Sequence, residues 1–170
     1  MKLTVKEKVL FGMLGALMYS SKVFMELFPN IHLIGVFVIA LTVVYRKKAL
    51  YPIYIFVFLS GLFSGFSIGW IPYLYVWTTL WAITMLLPKN MPTKIKPIVY
   101  MTLCSLHGFL FGIIIAPSQG ILFGLDFNGI IAWVIAGLPW DIAHGIGNFF
   151  FGILICPIIM TLKQAERYIK

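Results

Sequence analysis

Between Lys48 and Lys89 the chain carries no charged residue, and between Lys96 and Lys163 only Asp126 and Asp141. A soluble domain cannot be closed over with surface so poor in charge. The whole chain shares the pattern: 61% of its 170 residues are hydrophobic, 11% are charged, and the mean hydropathy is +1.00. In lipid the backbone must satisfy its own hydrogen bonds, and helices do this within each segment. The expected fold is therefore an all-α integral membrane protein, with one membrane domain over residues 1–170 and the lipid bilayer as its first partner. The net charge of +8 sits in short clusters between apolar runs. That is a topology signal and not a phosphate-binding face, so no nucleic-acid partner is expected.

Turns and clusters divide the chain into six expected spans, at about 9–28, 31–45, 49–66, 71–87, 98–116 and 129–162. The basic start and apolar run at residues 1–17 show no small-residue cleavage site, so a retained first helix is expected. Six crossings place Lys2, Lys6, Lys8, then Arg46, Lys47, Lys48, then Lys89, Lys94, Lys96, then Lys163, Arg167 and Lys170 on one side, with Lys22 elsewhere. The positive-inside rule makes that side, and both termini, cytoplasmic. Pro88–Pro97 is a polar, proline-bounded cytoplasmic loop, and Pro117–Asn128 an outer connection. The last run is about 50 Å long as a helix, too long for one straight crossing, so a kink is expected at Gly137-Leu138-Pro139.

Within this apolar background the polar residues are few. Gly137, Asp141, His144, Asn148 and Gly152 are spaced four, three, four and four apart, which on a helix makes one stripe. Two readings fit it: a polar seam between helices, or a site facing a protected cavity. Lys22 and Glu26, four apart, read as a self-neutralising pair or as two walls of a polar pocket. His32 follows Asn30 in a tight outer turn. Trp70, Tyr73, Trp77 and Trp81 fall near helical spacing; the first two suit an aromatic belt, while Trp77 and Trp81 suit core packing or the flat walls of a ligand pocket. Gly12, Ala16 and Ser20 form a smooth strip for close helix contact, and Gly61, Gly65 and Gly69 read as glycine-mediated packing. Cys104 and Cys156 lie in apolar segments and read as small hydrophobes.

Lys22, Glu26, Asn30, His32, Trp70, Gln119, Asp126 and Asp141 all fall in the outer half, a pattern expected of a protein that captures an extracellular solute. Nucleophile-elbow, zinc-protease, phosphate-loop and dinucleotide motifs are not found. No catalytic residues, cofactor or resident metal are expected, and any ATP-driven uptake would need partners. The alternative is a small intramembrane enzyme with Asp141, His144 and His107 around a metal. A purely structural subunit is a third reading.

Three stretches carry a family resemblance. The strip Gly12/Ala16/Ser20, the turn Pro29-Asn30-Ile31-His32 with the GVFVIALTVVYRKKA run after it, and the closing GLPWDIAHGIGNFFFGILICPI occur in that order. Together the chain resembles the substrate-binding S component of energy-coupling factor (ECF) transporters, small six-helix proteins that capture vitamins. The resemblance implies a vitamin or cofactor precursor as substrate, a membrane coupling subunit, two cytoplasmic ATPases, and a multi-pass place in a prokaryotic cell membrane. It also implies binding near the outer face by the first outer loop, the loop after the third helix and the last helix. Here these are Asn30 and His32, the Gly69–Tyr73 stretch with Trp70 and Tyr73, and Asp141, His144 and Asn148; Trp77 joins them as a substrate-binding candidate on its own reading as a flat wall. Gly12, Ala16 and Ser20 would meet the coupling subunit.

Overall fold

The computed structural model describes residues 2–27 and 31–169, and the described residues form helices and turns with no strand. Asn30 lies outside the described residues. The helices are α1 (Val5–Phe24), α2 (Ile34–Tyr45), α3 (Leu50–Ser64), α4 (Tyr73–Leu86), α5 (Lys96–Phe109), α6 (Phe111–Phe123), α7 (Phe127–Phe151) and α8 (Ile155–Ile169). Among the described residues, three helical stretches are long and apolar enough to cross a membrane: Val5–Leu27, Lys96–Phe123 and Phe127–Tyr168, of 23, 28 and 42 residues.

The core is built around α2. Every residue from Ile34 to Thr42 is buried, because this helix is apolar on all sides and lies between the α1–α3 pair and the α5–α7 pair, touching α4 and α8 as well. A helix without a polar face has no place at a water-facing surface. At 12 residues α2 is only about 18 Å long; α3 and α4, at 15 and 14 residues, are also shorter than a full crossing.

Close helix approaches use glycine. A Cβ on Gly108 of α5 would lie 2.8 Å from the Gly145 Cα of α7, and one on Gly152 would lie 2.9 Å from the Met101 Cα. On α1 the contact glycine is Gly15, where a Cβ would meet the Ile55 side chain at 2.5 Å, whereas a Cβ on Gly12 meets nothing within 4 Å. Thus Gly12, with exposed Ala16 and Ser20, is unused in packing within the chain.

All four basic clusters come to one end. Thr4 and Glu7 open α1 with a reciprocal capping box, and the Glu7 carboxylate also pairs with the Lys48 ammonium. Arg46 turns the chain out of α2 at φ +54°. Its guanidinium donates to the Met85 carbonyl (2.9 Å) and its own carbonyl accepts from the Trp81 indole (3.1 Å). The Tyr45 hydroxyl reaches the Leu162 carbonyl, just before Lys163. A non-helical stretch between α4 and α5 forms the expected break, with Lys96 and Pro97 already in the first turn of α5.

Several boundaries differ from those expected. α1 begins at Val5 and gives way to a 3-10 turn at Met25–Leu27. Pro117–Asn128 is mostly helix: α6 runs through Pro117 to Phe123, Gly124 ends it in the left-handed region at φ +63°, and Asp126 caps α7 through Gly129 N–H (2.8 Å). Beside Pro117, Ser118 donates to the Ile115 carbonyl at 2.7 Å and accepts from the Tyr75 hydroxyl at 3.0 Å. The last helix passes through Gly137-Leu138-Pro139 without a break. It is interrupted at Gly152–Leu154, where a 3-10 turn precedes α8. Pro157 explains that position: it occupies the first turn of α8, where its missing N–H is no loss, while its ring disfavours a continuous α-helix four residues back. Gly61, Gly65 and Gly69 do not form one helical strip, since α3 ends at Ser64; Gly65 turns the chain at φ +91°, and Gly61 is covered by Phe66 and Trp70.

Candidate ligand-binding site

The stripe on α7 faces inward. Asp141, His144 and Asn148 are 4%, 1% and 1% exposed, although Gly137 at its start meets nothing. Each of the three side chains takes a different part. The Asp141 carboxylate accepts the Gly112 N–H at 3.0 Å, in the first turn of α6. A capping group supplied by α7 thereby serves an amide that would otherwise be orphaned. Gly112 has to be glycine for this approach, because a Cβ there would sit 2.3 Å from Asp141 Oδ2. The same bond accounts for the boundary between α5 and α6 at Leu110.

Asn148 donates through Nδ2 to the Cys104 carbonyl (3.1 Å), leaving Oδ1 buried without a partner. Neither ring nitrogen of His144 has one. Its imidazole packs against His32 (ring centroids 4.7 Å apart) and Phe111 (4.9 Å). His107, in the middle of α5, joins this cluster. Its Nε2 lies 3.1 Å from the Val76 carbonyl, which can only accept, so Nε2 carries the proton and Nδ1 of the neutral ring is an acceptor. That Nδ1 is also unpartnered, as are His32 Nδ1 and the indole N–H of Trp77. Trp77 is 1% exposed and lies 5.6 Å from His32 and 5.8 Å from His107.

Six buried polar atoms without partners therefore lie close together in the bundle: five on the packed rings of His32, Trp77, His107 and His144 around Phe111, and one on Asn148, a turn along α7 from His144. Leaving each unmet costs roughly 1–3 kcal/mol. They offer at least one fixed donor, at Trp77, and two fixed acceptors, at His107 and Asn148. The Asp141 carboxylate is turned to Gly112 and not to these atoms. This set suits a planar, uncharged group bearing both donors and acceptors. Among the described residues no group of three or more His, Cys, Asp or Glu side chains is disposed to hold a metal.

The aromatic residues divide. Trp77 belongs to the cluster, Tyr73 packs on it at 5.8 Å, and Trp70 is tied by its indole N–H to the Val57 carbonyl at 2.8 Å. Trp81 is turned to the basic end and is no wall of the pocket. Lys22 and Glu26 are paired at 2.9 Å, and the two cysteines are free thiols. His107 was visible in the sequence as a polar residue in mid-span and as a candidate metal ligand with Asp141 and His144, not as a member of an aromatic cluster with His32 and Trp77. Phe111 gave no signal at all, being one apolar residue among many.

No family model, curated protein or solved structure matches the chain.

Proposed function

We propose that this chain is the substrate-capture subunit of an ECF-type importer. It would bind a vitamin or cofactor precursor from the outer side and hand it to a membrane coupling subunit driven by two cytoplasmic ATPases. The observation that carries the reading is the cluster of unpartnered polar atoms around His144. A buried polar group is normally satisfied, and six unmet atoms in one place are best accounted for by a ligand that completes their hydrogen bonds. The chain needs no chemistry of its own for this task. It binds and reorients.

The proposed topology has six crossings with both termini in the cytoplasm. Its support is the gathering of the four basic clusters at one end, together with the positive-inside rule. Short α2, α3 and α4 are compatible with it because α2 is surrounded by protein, where neighbouring helices relieve the length requirement. The proposed substrate-binding residues are His32, Trp70, Tyr73, Trp77, Asp141, His144 and Asn148, with Asn30 included on the sequence resemblance alone. Asp141 would act by holding α6 against α7.

Affinity purification of the tagged chain from its native membranes in mild detergent tests the assignment. The expected result is co-purification of a polytopic membrane subunit and two ATPase chains, with a small molecule released on denaturation. Absence of both ATPases and small molecule would overturn it.

A further inference from the structure

A cavity of about 140 Å3 lies at the end away from the basic clusters, and its lining includes Lys22, Ser60, Ser64, Ser67, Trp70 and Tyr73. Among the described residues its one charged lining side chain is cationic. The Lys22 side chain is 18% exposed and is held by Glu26 at 2.9 Å, while Glu26 itself faces out at 57% exposed. One ammonium proton is taken by Glu26, which leaves two to point elsewhere. Ser60 has given its proton to the Phe56 carbonyl (2.9 Å), but the hydroxyls of Ser64 and Ser67 have no partner among the described residues. Gly65 at φ +91° brings these two serines round the end of α3.

A partly buried cation beside two exposed serine hydroxyls forms a donor set for anionic oxygens at the cavity mouth. The cavity is one ring away from the imidazole cluster, since Tyr73 lines it and packs on Trp77. Resting on the capture reading above, we propose that the cargo is an organic anion, with its carboxylate or phosphate on Lys22, Ser64 and Ser67 and its uncharged polar ring among His32, His107, His144 and Asn148. Glu26 then has a definite part: it neutralises Lys22 while the cavity is empty and is exposed enough to yield when an anion enters.

The compound that the protein carries out of the cell is the readout. The full-length protein is purified from cells in mild detergent, denatured, and the released small molecules are identified by mass spectrometry. Carboxyl-specific amidation and phosphatase treatment distinguish the two anions. Wild type should release a compound bearing one of these groups, and Lys22→Met should release roughly ten- to hundredfold less per mole of protein, the range expected for a lost charge-assisted bond. Lys22→Arg should retain it. If Lys22→Met does not purify as a folded monomer, the Ser64→Ala/Ser67→Ala double variant carries the same comparison. An uncharged compound that His144→Leu loses would overturn the anion proposal and leave the capture reading standing. Equal release from wild type and Lys22→Met would do the same. No compound from any variant would sink the anion proposal, and the capture reading with it if the ATPases also fail to co-purify.

Discussion

His144 has two nitrogens, no partner for either, and 1% exposure, a cost that, on the proposed capture function, a bound ligand would remove. The consequence is a trade between stability and binding at this one residue. His144→Leu replaces the imidazole by an apolar side chain of similar size and deletes two unmet polar atoms. The unliganded variant should melt at a higher temperature than wild type in detergent, while the small molecule that wild type carries is lost. A lower melting temperature with the compound retained would make His144 a packing residue. Asp141 predicts the reverse behaviour. Its carboxylate caps α6 through Gly112, so Asp141→Ala should destabilise the fold by about 0.5–2 kcal/mol, and Asp141→Asn, which keeps an acceptor oxygen, should cost much less. Thermal melts of the two variants check this; equal losses would mean that the cap is not what Asp141 supplies. The inward direction of both side chains could be seen in the three- and four-residue spacing along α7. That they serve different ends could not, because Gly112 and His32 come to them from distant parts of the chain.

At the scale of helices, the sequence is clearest where a cap or a charge cluster marks a boundary, and least clear where a proline must be judged. Pro139 and Pro157 sit in the same apolar run, yet α7 passes through the first and stops short of the second. Proline removes one N–H in either place. Packing does not separate them, since Pro139 is exposed and the turn before Pro157 lies against Met101 of α5. Glycines pose the same problem. Gly12, Gly15, Gly108 and Gly145 look alike in a sequence, but only the last three lie at close approaches. Gly108→Ala should therefore force α5 away from α7 and disturb Asn148, whose Nδ2 would be 2.9 Å from the new methyl. A loss of about 1–3 kcal/mol is expected from such overpacking. Gly12→Ala, with open space around it, should leave the melting temperature unchanged or slightly raised. If Gly108→Ala melts with wild type, the α5–α7 crossing is looser than its geometry implies.

For the whole molecule, the basic clusters and the α1 surface make separate demands. With four clusters at one end, cysteines introduced in the Pro88–Pro97 loop should be shielded from a membrane-impermeant thiol reagent in intact cells, and cysteines at Gly69 or Asp126 should react; labelling of the loop would reverse the orientation or break the six-crossing arrangement. The α1 surface tests assembly. Gly15 on its inner side is pressed against α3, whereas Gly12, Ala16 and Ser20 turn outward and touch nothing that the fold requires. A smooth strip of small residues lets a second helix come close, and a large side chain in it holds that helix off. Ala16→Leu adds apolar bulk to an already apolar outer surface, so the isolated variant should stay folded, monodisperse and able to carry its small molecule. Its complex with a coupling subunit should fail to form. Gly15→Leu is the contrasting change: it drives a side chain into Ile55 and should damage the fold itself. Purifying both variants alone and in the presence of the partner subunits separates the two surfaces. An Ala16→Leu protein that assembles as wild type does would remove the strip from the docking face and leave the contact with the coupling subunit to another helix.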